Sequence, residues 1–325
     1  MRSIIIQLSA AALLLGFAGT ASALTSLHLA QNSSPISGVT MVAKEKGFFE
    51  NNGLDVRVSA FTTGRQALEA VLGGGADVAT TAEAPTTAAA MAGQPIAFLA
   101  RTQYSDLKTL ARKDSGIASV ADLKGKRIGY TAGTGGEVYT MRLLEIAGLT
   151  PRDVSLANLR PQDMAPALAA GSIDAFNTWE PHVANARRVL GDAAVLIDTR
   201  GVYAETFNIV TTRSFLEANM DAMESFMKAL VEAVEFIAQN PEESIEIIAR
   251  VAGMPEADLR ETWDDYVYDV MIDSRTMDVL HAHAAWRLDS GNHPRGATMP
   301  DFTQVIDARP LRAVAPERVQ VEGLN

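Results

Sequence analysis

One ten-residue pattern occurs twice in this chain. Gly74, Asp77, Thr81 and Glu83 return 97 positions later as Gly171, Asp174, Thr178 and Glu180. Each copy ends a helix-like run on glycine, opens a short apolar strand with aspartate and closes on Thr-x-Glu. A unit repeated at that distance predicts two similar halves. Ligands gather beyond the carboxyl ends of the strands in an open α/β sheet. The echo therefore predicts a carboxylate at a strand end in each half, with a cleft between them.

The rest of the chain carries the same grammar. Leu54 to Val58 alternates apolar and polar residues, the period of a half-buried strand. Helix-like runs follow at Arg65–Leu72 and Pro85–Ala92, with strands at Asp77–Thr81 and Pro95–Ala100. After Gly116 the order restarts. Strands are expected at Arg127–Thr131, Val154–Leu159 and Ile173–Asn177, and helices at Gly135–Ala147, Pro161–Ala170 and Pro181–Leu190. This βα alternation predicts an α/β fold with largely parallel sheets. Beyond Ser214 longer helices take over, Met223–Gln239 and Glu242–Val251 being the clearest, with a Pro- and Val-rich tail from about Ser290.

The first residues read as an export signal. Arg2 precedes an apolar run from Ile4 to Phe17, and Ala21-Ser22-Ala23 forms an A-x-A cleavage site. The mature chain is expected to begin near Leu24, in the periplasm and without a membrane anchor. There is no cysteine, which excludes a disulfide scaffold, a thiolate metal site, a thiol nucleophile and a lipidated N-terminal cysteine. The formal charge of −11 argues against nucleic acid, which requires a basic face.

Two segments carry the candidate binding chemistry. Strand 128–131, ending at Thr131, runs into Ala132-Gly133-Thr134-Gly135-Gly136-Glu137 and then a helix. Such a turn presents free N–H groups backed by the helix dipole and favours an anion. Thr134 and Glu137 also stand at capping-box spacing, a reading that competes for the same amides. The second segment is Asn177-Thr178-Trp179-Glu180-Pro181, where Trp179 offers a stacking wall and Glu180 an ammonium acceptor. The blander alternative is a core tryptophan and a glutamate at a helix N-terminus. Glu83 is the counterpart of Glu180 in the first half, and Ser33, Ser34, Thr62 and Thr63 sit in turns at the same topological edge. Their hydroxyls suit a polar ligand. His281 and His283 lie two apart on an apparent helix and make a poor metal pair; a packed or solvated role is expected. Asp264, Asp265 and Asp269 read as a polar helix face. No metal site, cofactor or catalytic triad is indicated. Arg65 and Arg101 suit surface or cleft charge balance.

Lys46-Gly47-Phe48-Phe49-Glu50 followed by Gly53-Leu54-Asp55-Val56 resembles the nitrate/sulfonate/taurine family of ABC-transporter solute-binding proteins. So do Asp122-Leu123-Lys124-Gly125-Lys126, Ala147-Gly148-Leu149 and Trp179-Glu180-Pro181, the last similar to that family's Trp-Asp-Pro. The resemblance covers roughly residues 25–240. It implies a type II periplasmic-binding-protein fold: two lobes, each a mixed, mostly parallel sheet flanked by helices, joined by two hinge strands. The signal would occupy 1–23, lobe one 24–110 plus 207–325, and lobe two 111–206. The crossings would fall near Thr109–Lys113 and Phe207–Thr211. A small ligand would meet Ser33, Ser34, Thr62, Thr63, Thr81 and Glu83 from one lobe. Thr131, Thr134, Gly135, Gly136, Glu137, Asn177, Trp179 and Glu180 would meet it from the other.

The implied function is capture of a small polar solute, zwitterionic or anionic, and its delivery by a monomer to a membrane permease. Two departures weaken sulfonate as the cargo: Gly135-Gly136-Glu137 replaces a Ser/Thr-rich turn, and Glu180 replaces aspartate. The alternatives are an enzyme on the same fold, like pyrimidine synthases or desulfinases, and a binding protein that feeds a sensor.

Overall fold

The computed structural model describes residues 23–324, so positions 1–22 of the expected export signal lie outside the described residues. Eleven strands form two sheets among those residues. They are β1 (Thr25–Asn32), β2 (Leu54–Phe61), β3 (Val78–Ala82), β4 (Ile96–Asp106), β5 (Lys108–Arg112) and β6 (Arg127–Tyr130). The remainder are β7 (Ser155–Asn158), β8 (Ala175–Thr178), β9 (Ala194–Ile197), β10 (Ala204–Thr212) and β11 (Val267–Met271). The first sheet has the order β11-β4-β10-β3-β1-β2 and the second β7-β6-β8-β5-β9.

The 97-residue echo is built into these sheets. In the first, β3 lies between parallel β1 and antiparallel β10; in the second, β8 lies between parallel β6 and antiparallel β5. The aspartates play one role twice. Asp77 accepts the His28 amide of β1 at 2.7 Å, and Asp174 accepts the Arg127 amide of β6 at 2.8 Å. Each carboxylate thus satisfies the N–H just ahead of the ladder that its own strand forms with that neighbour.

Parallel pairing is confined to one side of each sheet, which corrects the expectation of mostly parallel strands. The chain enters each half on βα units but returns across it on β10 or β5, and these strands pair antiparallel on both edges. The crossings also sit a few residues earlier than expected. Leu107 separates β4 from β5, and residues 198–203 separate β9 from β10. The two crossings touch, with Leu107 N–H donating to Tyr203 O at 3.2 Å and Gly201 N–H to Asp106 Oδ2 at 2.7 Å.

Local sequence explains the helices that flank the site. Thr63 caps the Gly64–Leu72 helix by accepting the Gln66 amide. A Cβ on Gly64 would lie 2.8 Å from Thr81 Cα, so only glycine lets this helix start so close to β3. The Met220–Gln239 helix buries Met223, Phe226, Met227, Leu230, Val234 and Ile237 on one face. Phe226 stacks on Phe49 at 5.0 Å, and burying an aromatic of this kind contributes about 2–3 kcal/mol. The Ser274–Ser290 helix packs against the Glu83–Met91 helix, bringing C-terminal residues to the first repeat. Trp263–Asp265 is a short 3-10 turn leading into β11, so Asp264, Asp265 and Asp269 do not form a helix face. The cause is pairing: Val267 and Tyr268 join the edge of the first sheet opposite Tyr104 and Gln103. Among the described residues no helix is long and apolar enough to cross a membrane.

Candidate functional site

The carboxyl ends of β1, β3, β6 and β8 bring the two halves into contact. Trp179 leaves the end of β8 almost fully buried, and its Nε1 donates to Ser34 Oγ, just beyond β1, at 3.2 Å. A Cβ on Gly136 would lie 3.7 Å from the same indole ring. Arg65, at the start of the Gly64–Leu72 helix, reaches across to Ala132 O at 3.3 Å. Ser34, Trp179 and the glycine-rich helix start therefore share one junction.

That helix start is capped by the protein itself. Thr134 Oγ1 accepts the Gly136 amide at 3.1 Å, and Glu137 Oε2 accepts the Gly133 amide at 2.8 Å. At Gly135 the partner comes from the other half. Glu205 of β10 brings its Oε1 so close that a Cβ on Gly135 would lie 2.2 Å from it. The Gly135 amide is the one group that lowers the Glu205 pKa. Burial, and then the charge of Glu83, push this carboxyl well above the ordinary glutamate range.

Glu83 opens the Glu83–Met91 helix and is fully buried. Its Oε2 accepts the Thr206 amide at 2.7 Å and the Thr206 hydroxyl at 2.9 Å, and the Tyr203 hydroxyl donates to Oε1. His283 Nε2 lies 2.6 Å from the Tyr203 hydroxyl and 3.3 Å from Glu83 Oε1. Burial raises the Glu83 pKa, yet the bonds from His283 and Tyr203 outweigh it and hold the carboxyl below its usual value. Tyr203 is pushed well up by burial and by the Glu83 charge.

Glu180 does not present a free carboxylate. Its Oε1 pairs with Lys108 Nζ at 3.1 Å and its Oε2 accepts the Ala184 amide at 2.8 Å, at the start of the His182–Leu190 helix. Burial lowers the Lys108 pKa, but Glu180 and Asp265 more than offset it, so the ammonium is held above its ordinary range. Other expected site residues engage local structure. Ser33 Oγ donates to Phe61 O, Thr62 Oγ1 to Gln66, Thr131 Oγ1 to Leu159 O, and Thr63 caps its helix. Asn177 bridges Thr109 and Thr140 inside the second half. Thr81 is different, because its buried Oγ1 has no protein partner.

Three residues at this junction escaped the sequence reading: Glu205 and Thr206 on β10 and Tyr203 in the crossing just before it, which no local motif marks. His283, expected to be packed or solvated, is buried beside them on a C-terminal helix. Arg101, expected to balance charge at the cleft or the surface, is fully buried and pairs with Asp273 at 2.7 Å. Asn208 faces both Thr81 and Arg101 in register, and Gln103 faces Phe207. Both side-chain polar atoms of Asn208 and of Gln103 are buried without a protein partner, as is Thr178 Oγ1. Each such atom costs about 1–3 kcal/mol unless a ligand or water satisfies it. No group of three or more His, Cys, Asp or Glu is placed to hold a metal among the described residues.

Two mixed sheets with helices on their faces, crossed twice by the chain and joined at their strand ends, define a two-lobed periplasmic-binding-protein fold. The chain belongs to the NMT1/THI5-like family, whose profile matches residues 35–244. It is 32% identical over 145 residues to a protein of Brucella abortus (strain 2308) named as a binding protein, 45% of this chain and 44% of that one. The match thus spans less than half the length of that relative. An aliphatic sulfonates-binding protein of Bacillus subtilis (strain 168) is 28% identical over 204 residues, 60% of this chain and 59% of the relative. A 4-amino-5-hydroxymethyl-2-methylpyrimidine phosphate synthase of Schizosaccharomyces pombe is 31% identical over 136 residues, 41% and 38% of the two chains. Among solved structures, the alkanesulfonate-binding protein SsuA from Xanthomonas axonopodis pv. citri bound to MOPS superposes with a TM-score of 0.76 at 22% identity, covering 88% of this chain and 99% of that one. The periplasmic nitrate-binding protein NrtA from Synechocystis PCC 6803 gives 0.75 at 16%, covering 90% and 89%.

Proposed function

We propose that this protein is the periplasmic solute-binding component of an ABC importer. In this reading it is exported by cleavage near Ala23 and works as a monomer without a cofactor. The half built on the first sheet, with the chain up to the Leu107 crossing and from Ala204 onward, closes against the half built on the second, from Lys108 to the second crossing, around one small polar solute, and the closed form is presented to a membrane permease. The relatives named as sulfonate-binding make sulfonate-like solutes the first class to test, with amino-acid-like solutes beside them.

The observation that supports this reading is the junction at the strand ends. Ser34 meets Trp179 and Glu205 meets Gly135, in each case one residue from either half. Unpartnered Thr81, Asn208 and Thr178 are buried close by, on β3, β10 and β8. A solute that makes more contacts in the closed form than in the open one shifts the population toward closure. Trp179 sits on the closing surface, so a thermal-shift screen followed by tryptophan fluorescence titration reads binding directly. Saturable fluorescence change with no product supports the receptor; conversion of the bound molecule refutes it.

A second reading is an enzyme on the same fold, as the Schizosaccharomyces relative is named. The Glu83–Tyr203–His283 chain of hydrogen bonds favours it, since such chains orient a proton-transfer group. Turnover abolished by His283→Gln would establish it.

A further inference from the structure

The glycine-rich start of the Gly135–Ile146 helix is the natural anion position of the cleft, and a carboxyl of the protein already stands there. Glu205 reaches it from β10, in the other half, and the fit depends on Gly135 having no side chain. Glu137 takes the neighbouring amide of Gly133. A sulfonate or nitrate arriving at this helix would have to displace Glu205 and then sit beside Glu83.

The same place is suited to the opposite charge. Glu83 and Glu205 are both buried, and each shifts the ionisation of its surroundings. Arg287, the nearby guanidinium, hydrogen-bonds Ala84 O and Asn292 O rather than either carboxyl. Independent polar atoms point to a missing partner. His283 touches Glu83 with Nε2 while its buried Nδ1 has no protein partner. Thr81, two residues before Glu83, and Asn208, opposite Thr81 in register, are also unpartnered. A ligand nitrogen with several N–H donors would satisfy hydroxyl and amide acceptors, pair with the Glu83 carboxylate and favour the ionised form of Glu205 beside it, releasing that proton to solvent; a buried charge requires such pairing.

We propose that Glu205 is the specificity-determining residue of the cleft, excluding a bare anion from the helix start and, with Glu83, selecting solutes that carry a cationic nitrogen. This rests on the solute-receptor reading and names the chemical class of its cargo. Taurine-like zwitterions and simple amines fall inside the class; isethionate, ethanesulfonate and nitrate fall outside it.

Matched probes that exchange an ammonium for a hydroxyl test it: taurine against isethionate, β-alanine against 3-hydroxypropionate, and putrescine against 1,4-butanediol. Calorimetry on the wild-type protein should show an amine binding at least thirtyfold more tightly than its hydroxyl partner. Glu205→Gln, which preserves shape, should reduce that ratio to within about threefold. Glu205→Ala should weaken the amine and strengthen isethionate by clearing the helix start. The assignment is overturned if isethionate or nitrate binds wild type as tightly as the best amine. It is equally overturned if no amine saturates the protein by 10 mM, or if Glu205→Gln leaves the ratio unchanged. Turnover of a bound amine would instead refute the receptor reading and leave the charge rule standing.

Discussion

Gly135→Ala places a methyl group where the two halves meet. The new Cβ would lie 2.2 Å from Glu205 Oε1 and 3.0 Å from its carboxyl carbon, against an ordinary contact of about 3.5–4.0 Å. The Glu205 carboxyl must withdraw by more than an ångström and lose the Gly135 amide. Leaving a buried donor or acceptor without its partner costs about 1–3 kcal/mol. At about 1.4 kcal/mol per tenfold, the closed form is disfavoured by roughly 5- to 150-fold. Apparent affinity scales with the fraction of binding-competent form, so it should fall by a similar factor. The helix itself should not suffer, because alanine favours a helix over glycine by about 0.5–1 kcal/mol. The assay is calorimetric titration with the best ligand of a thermal-shift screen, alongside thermal unfolding of the free variant. In a Glu205→Ala background the same substitution should have almost no further effect on affinity. An affinity within twofold of wild type, or an equal penalty in both backgrounds, would show that the two residues do not meet.

Two further predictions concern stability. Asp77→Ala and Asp174→Ala each leave a strand-edge amide without its acceptor, at about 1–3 kcal/mol each. Asp174 also pairs with Arg127, so its loss should be the larger, and the two should add in urea unfolding because they sit in separate sheets. Burial lowers the His182 pKa from 6.5 to about 4. The unfolded chain therefore takes up a proton below pH 6.5 that the folded protein refuses. Stability present above pH 6.5 should be lost progressively down to pH 4, by up to about 3 kcal/mol. His182→Gln should flatten Tm across that window; an unchanged acid slope would refute the assignment.

Sequence and structure agree best where one residue type has one local task. Asp77 and Asp174 open equivalent strands and cap equivalent neighbours, so spacing alone exposed the duplication. Helix ends marked by Thr63 or Thr134 were legible for the same reason. The site was legible only in part. Trp179, Ser34 and the glycines do meet, but Glu180, read as a ligand carboxylate, is neutralised by Lys108, 72 residues away in the chain. Glu83 was visible through the repeat, whereas Tyr203, Glu205 and His283, which define its surroundings, come from a crossing, a returning strand and a distant helix. Nothing in the period of β10 distinguishes Glu205 from a solvated glutamate. Its meaning depends on a glycine 70 residues earlier that lies against it only after both crossings are made.

The central claim is that the two halves close around a solute without transforming it. Small-angle X-ray scattering on the free and solute-saturated protein, with the recovered solute analysed by mass spectrometry, tests it most directly. The account predicts a smaller radius of gyration on saturation and a solute recovered intact. An unchanged radius at full occupancy, or a recovered product of different mass, would contradict it.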